Sequence, residues 1–173
     1  SAQALARELS NSSLETFTLV TRRTQPPIRA EQLRQINTVL SSYTTRYRPS
    51  QRDRTHNLHL AMKRLSETVL MPGDHISLNQ IIGPRLSERG FRPAPIFVDG
   101  EIEPSTGGGV CQVATTVYNA ALLANLTVTE RHHHSRPVPY VPAGLDATLY
   151  WGQLDLRIRN TLRHPVLLLG SVG

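Results

Sequence analysis

Thr106-Gly-Gly-Gly-Val-Cys-Gln-Val-Ala-Thr-Thr-Val-Tyr-Asn119 decides how this chain is read. Three glycines stand directly before an apolar-periodic run, which is the grammar of a loop feeding a helix. Val113, Val117, Ala120, Ala121 and Ala124 form one apolar face and predict a helix from Cys111 to Ala124. Its small side chains suit close packing on a sheet. Cys111, the only cysteine, falls at the entrance of that helix. Unpaired N–H groups and the positive end of the helix dipole favour the thiolate there, the reactive form. A lone cysteine also has a bland reading, a small buried hydrophobe, so residues elsewhere must decide.

Downstream, Leu126–Glu130 is β-like and leads into Arg131-His-His-His-Ser135. Ala147–Trp151, Gly152-Gln153 and Leu154–Asn160 read as a hairpin. In its second arm Leu154, Leu156 and Ile158 share one face, and Asp155, Arg157 and Arg159 the other. Pro165–Leu169 is the last expected strand. Upstream, Ile96–Glu103 reads as a hairpin turning at Asp99-Gly100. Ser77 and Gln80 have capping-box spacing and predict a short helix ending at Gly83-Pro84. Met71–His75 is a turn. Asp53–Val69 is a helix with Leu58, Ala61, Met62 and Leu65 on one face.

Before it, Ser41–Asp53 is extended and arginine-rich, and Ala30–Leu40 puts Leu33, Ile36 and Leu40 on a helical face. Thr16–Thr21 alternates like a strand, and Ala2–Leu9 is weakly helical. The fold expected is α+β: a helix bearing the cysteine at its N-terminus, packed on an antiparallel sheet. Residues 1–40 read as a connecting segment, the tail of a preceding domain, and residues 41–173 as the domain itself.

A chain of 173 residues that is 39% hydrophobic and 18% charged is globular rather than disordered. Its net charge of +6, carried largely by arginine, suits an anionic partner. With 5% aromatics and no basic helix block, that partner is not expected to be nucleic acid. One cysteine excludes an intrachain disulfide. No apolar run approaches ~18 residues, so no transmembrane span is expected, and no signal peptide is visible.

The candidate chemistry follows chain order: a thiol at a helix start, then a histidine, then an acid near the next strand. Cys111, His134 and Asp146 occupy these places, the serial logic of papain-like and transglutaminase-like enzymes. His134 takes the thiol proton, and Asp146 fixes its tautomer. N–H groups of Val110–Gln112 are the expected oxyanion donors. Three adjacent histidines raise the question of metal, but alternation lets only His132 and His134 share a face, and no third ligand is placed. No metal and no cofactor are expected. Tyr118 and Tyr140 read as packing residues, and His56, His59, His75 and His164 as ordinary surface or core residues.

These blocks have a family likeness. Thr44-Thr-Arg46, Arg54-Thr-His-Asn-Leu58, Val69-Leu-Met-Pro-Gly-Asp74, Gly83-Pro-Arg85, Glu88-Arg-Gly-Phe91, Gly107-Gly-Gly-Val-Cys-Gln-Val113, Thr115-Thr-Val-Tyr-Asn-Ala120, Glu130-Arg131, His134-Ser135, Pro137-Val-Pro-Tyr-Val-Pro142 and Asp146-Ala-Thr148 stand in the order and spacing of the VanW family. The chain resembles that family over roughly residues 41–170, a span taken from these blocks. It departs where Ile76 and Leu78 replace aromatic residues and Ala114 replaces a frequent serine. His133 stands where relatives commonly have asparagine, whereas His134-Ser135 keeps the usual form.

The resemblance implies cell-wall chemistry, since some relatives look to be L,D-transpeptidases. Cys111 would then attack the carbonyl of the third residue of a peptidoglycan stem peptide. A second stem's amine would resolve the thioester into a 3–3 cross-link. Arg85, Arg131, Gly108, Gly109 and Gln112 are the expected substrate contacts. The location implied is extracytoplasmic, in the bacterial envelope. A thiol peptidase or amidase, and a non-catalytic wall-binding or glycopeptide-response module, are the alternatives.

Overall fold

The computed structural model describes residues 24, 26–98 and 101–173. The expected helix at Ala2–Leu9 and strand at Thr16–Thr21 lie outside them. Among the described residues the expected helix over Ala30–Leu40 shrinks to α1, Ala30–Leu33. Leu33 and Leu40 are exposed; an apolar stripe with no surface to bury against does not sustain a helix of that length. The next residues run extended, with Ser41, Tyr43, Thr45 and Tyr47 alternately half-buried.

The helix expected at Asp53–Val69 is α2, Arg52–Leu65, and Leu58, Ala61, Met62 and Leu65 are all buried. Leu58, Met62 and Leu65 each contribute about 1.5–3 kcal/mol by leaving water. The helix stops before Val69 because Ser66 is extended and Glu67 has a φ of 68°. Thr68–Leu70 instead forms β1. β2 (His75–Ser77) then runs into α3 (Leu78–Ile82), whose N-cap is Ser77 accepting from the Gln80 N–H at 3.1 Å.

The expected hairpin is longer than its sequence signal: β3 (Pro93–Val98) pairs with β4 (Glu101–Thr106) along its whole length. It ends one residue before the triple glycine. α4 spans Val110–Leu123, and β5 spans Thr127–Glu130. The later expected hairpin is reduced to one bridge, Tyr150 to Leu154. Its second arm contributes β6 (Arg157–Arg159), which lies between β2 and β5, and Val166–Leu168 is β7, paired with β1.

All strand pairs are antiparallel, and the class is α+β. α4 packs against both α2 and β5. One core joins Leu58, Leu65, Val113, Val117, Leu156 and Ile158. Asp155 departs from the expected alternation: it is buried, not outward. Its carboxylate accepts from the N–H groups of Asn79 and Leu156, each at 2.9 Å, and from the Ser77 hydroxyl. It therefore anchors the start of α3, where a carboxylate meets unpaired N–H groups.

Candidate active site

Two backbone demands shape the loop before α4. Gly107 has a φ of 89°, a region that L side chains rarely adopt. At Gly108 a Cβ would stand 2.5 Å from the carbonyl oxygen of Ala94, so only glycine lets the loop lie on β3. Asn57, fully buried on α2, ties this loop down. Its Nδ2 donates to the carbonyls of Arg92 (2.8 Å) and Gly108 (3.0 Å), and its Oδ1 accepts from the Arg92 N–H (2.9 Å).

Cys111 is the second residue of α4 and is only partly shielded from solvent. Its sulfur lies 3.4 Å from the Thr148 hydroxyl, accepts from the Leu149 N–H at 3.4 Å, and is 3.6 Å from the Leu149 carbonyl. His134 acts on the same sulfur through hydrogen bonding and charge. His134 Nδ1 is 2.6 Å from Asp146 Oδ2, which leaves Nε2 as the nitrogen for the thiol. The structure thus brings Cys111, His134 and Asp146 together.

The electrostatics follow from those contacts. Burial works against a thiolate, but hydrogen bonds with His134, Thr148 and Leu149, together with the His134 charge, outweigh it and lower the Cys111 pKa. For His134 burial lowers the pKa, while hydrogen bonds and charges of Cys111 and Asp146 raise it on balance. Asp146 is opposed by burial and held down by the His134 N–H, imidazole and charge. Both shifts move the pair toward thiolate and imidazolium, with the Asp146 carboxylate behind the imidazole.

The other expected site residues are placed differently. Arg131 reaches Asp146, not the thiol: its Nε donates to the Asp146 carbonyl (2.7 Å), and its Nη2 to Oδ1 (3.1 Å) and to the Gly144 carbonyl (2.9 Å). It also stacks over Tyr118. Gln112 is buried and bound to Thr45, the Arg46 carbonyl and Arg54. Gly108 and Gly109 are buried too. These three residues hold the loop. Of the expected oxyanion donors, the N–H groups of Val110 and Gln112 are turned back to the carbonyls of Gly107 (3.2 Å) and Gly109 (2.8 Å). No backbone bond occupies the Cys111 N–H among the described residues.

The three histidines diverge. His132 meets Glu130 at 3.1 Å, and His133 donates to the His134 carbonyl at 2.7 Å. Among the described residues no three His, Cys, Asp or Glu side chains gather to hold a metal ion. A concavity of about 240 Å³ borders the site, lined by Arg131, His133, His134, Arg136, Pro142 and Asp146.

Sequence reasoning missed Thr148, although its position two residues after Asp146 in an extended stretch carried the signal. It also missed Tyr140. Burial, and then the Cys111 charge, push its hydroxyl well above the ordinary value, with Thr115 acting the other way. That phenol stays protonated. Its Pro137–Pro142 surroundings offered no periodicity to reveal this.

The comparisons with known proteins agree with these motifs. A family model described as VanW-like protein matches residues 53–173. The chain belongs to the VanW family. The Bacillus subtilis protein YoaR is 40% identical over 144 residues, covering 83% of this chain and 48% of its own. The vancomycin B-type resistance protein VanW of Enterococcus faecalis is 27% identical over 115 residues, covering 64% of this chain and 42% of its own. The chain spans about half the length of the curated relatives that it matches. No solved structure matches it. In this VanW-like domain the matched region contains the glycine loop, Cys111, His134 and Asp146. No helix among the described residues is long and apolar enough to cross a membrane.

Proposed function

We propose that this VanW-like domain is a cysteine acyltransferase of the bacterial envelope, an L,D-transpeptidase acting on peptidoglycan stem peptides. One observation carries the reading: His134, which lowers the Cys111 pKa by hydrogen bonding and charge, has its Nδ1 fixed on Asp146 at 2.6 Å. The order of thiol, base and acid along the chain is that of papain-like enzymes.

In the first step the Cys111 thiolate attacks the carbonyl carbon of the third stem residue. The tetrahedral oxyanion takes the Cys111 N–H as donor. The imidazolium of His134 delivers its proton from Nε2 to the leaving amine, the C–N bond breaks, and a thioester remains. In the second step His134, now neutral, takes a proton from the side-chain amine of another stem. That amine attacks the thioester and releases the thiolate. Gly108, Gly109 and Gln112 act by fixing the loop, and Arg131 by fixing Asp146.

The test is incubation with disaccharide-tetrapeptide followed by intact-protein mass spectrometry. Wild type is expected to gain the acyl mass and release D-alanine, and Cys111→Ala to do neither. A second stem should then accept the acyl group. Release to water alone would assign a peptidase or amidase. A folded wild type with neither adduct nor turnover would sink the enzymatic reading.

A further inference from the structure

Arg85 differs from the other arginines around the thiol. Arg54 is engaged by Gln112 (3.0 Å) and the Pro95 carbonyl (3.4 Å), and Arg131 by Asp146 and Gly144. Arg85 donates from Nη1 to Asn79 Oδ1 at 2.6 Å, but its Nη2 is buried with no hydrogen-bond partner among the described residues. A buried donor left unpaired costs about 1–3 kcal/mol, and more on a charged group, so a fold that keeps one demands an explanation.

The fold also builds a seat for this side chain. Asn79 is held by its Nδ2 on the carbonyls of Tyr150 (3.2 Å) and Leu154 (2.8 Å). On the other side Gly107 makes room, since a Cβ there would stand 2.5 Å from Arg85 Cγ and 2.6 Å from its Cβ. Arg85 thus lies against the loop that carries Cys111, and the negative charges of Cys111 and Asp155 both favour its cation. In a bound donor peptide, only the amide nitrogen and Cα of the departing residue separate its α-carboxylate from the attacked carbonyl carbon.

We propose that Arg85 is the specificity residue that binds the free α-carboxylate of the residue expelled from the donor stem. The site then accepts peptides in which the attacked bond is the last one, and disfavours extended or amidated stems. This inference rests on the acyl-transfer reading above. In the reaction the C–N bond to the terminal residue breaks, its amine takes the His134 proton, and it leaves as a free amino acid from Arg85.

The experiment is calorimetric binding to Cys111→Ala protein of a stem tetrapeptide ending in D-alanine, beside the same peptide ending in D-alaninamide. A charge-assisted hydrogen bond predicts about 10- to 100-fold tighter binding of the acid. Adding Arg85→Gln should weaken the acid to the level of the amide and leave the amide unchanged. Arg85→Lys should keep part of the preference, and it decides the matter if Arg85→Gln does not fold.

Equal binding of acid and amide, or a preference that survives in folded Arg85→Gln protein, overturns the assignment. Wild-type acylation rates separate the two readings. Thioester formed equally fast from acid and amide would leave acyl transfer intact and overturn the role of Arg85. Acid-selective, Arg85-dependent binding with no thioester would leave the carboxylate site and remove acyl transfer.

Discussion

Asp146 is 7% exposed, and its carboxylate accepts from the His134 N–H at 2.7 Å, from His134 Nδ1 at 2.6 Å and from Arg131 Nη2 at 3.1 Å. An amide there can donate to Nδ1 and leave the proton on Nε2, the tautomer that cannot act as base. Asp146→Asn is therefore expected to lower kcat for thioester formation by on the order of 10²–10⁴-fold while the protein still folds. Its pKa is held below 3.8 in the folded chain, so its contribution to stability is present above that value and is lost as pH falls through the lowered pKa. The Tm difference between wild type and Asp146→Asn should be widest above pH 3.8 and close on further acidification. A difference that does not change with pH would contradict this. The thiol gives a second titration. Iodoacetamide should alkylate Cys111 with a midpoint below the ordinary 9.0, and His134→Ala should move that midpoint up, because burial then acts with one opposing partner fewer. Superimposable profiles would show that the imidazole does not hold the thiolate.

Between elements, single polar side chains do much of the positioning. Asn57 joins α2 to the glycine loop and to the residue before β3 through three hydrogen bonds. Asn57→Ala takes the partner from the Arg92 N–H and from the buried Gly108 carbonyl, while the Arg92 carbonyl keeps the Gly107 N–H at 3.1 Å. The expected cost is about 2–4 kcal/mol in urea denaturation, with a further loss of acylation rate as the loop carrying Cys111 loosens. A change under 1 kcal/mol would place the anchoring elsewhere; the threshold is the typical net worth of one hydrogen bond, about 1 kcal/mol. This role was not legible in the sequence, because a helical asparagine reads as a solvated residue until its tertiary partners are known. Asp155 and Gln112 were opaque for the same reason. The α2 and α4 helices, the Ser77 cap and the β3–β4 hairpin were legible, since each rests on local periodicity or turn chemistry. The helix expected to reach Leu40 failed because periodicity reports a stripe and not whether anything covers it. Cys111, His134 and Asp146 were legible as a serial order, and Thr148 by its spacing from Asp146, whereas Tyr140 comes from a proline-rich stretch with no regular spacing.

At the scale of the whole molecule, the question is where the folding unit begins. The family match starts at residue 53, yet the extended segment before α2 is laced to α4. Ser41 Oγ donates to the Ala120 carbonyl at 2.7 Å, Thr45 Oγ1 lies 2.8 Å from Thr116 Oγ1, and Gln112 Nε2 donates to the Arg46 carbonyl at 2.8 Å. Tyr47 reaches the far end of the chain, its hydroxyl donating to the Gly173 carbonyl at 3.1 Å. Beyond this segment, toward the N-terminus, Leu33, Val39 and Leu40 are exposed. Residues 41–173 should therefore fold alone, with a Tm within a few degrees of a chain that starts at residue 26, because the described residues 26–40 are mostly exposed. Starting the chain at residue 53 should instead cost about 2–4 kcal/mol, since it strips a partner from buried Gln112 and uncovers one side of α4. The helix so exposed carries Cys111, so this shorter chain should also show a raised midpoint for thiol alkylation. Equal Tm values for the two truncations would move the boundary to residue 53 and make the strand-like segment an ornament of the fold rather than part of it.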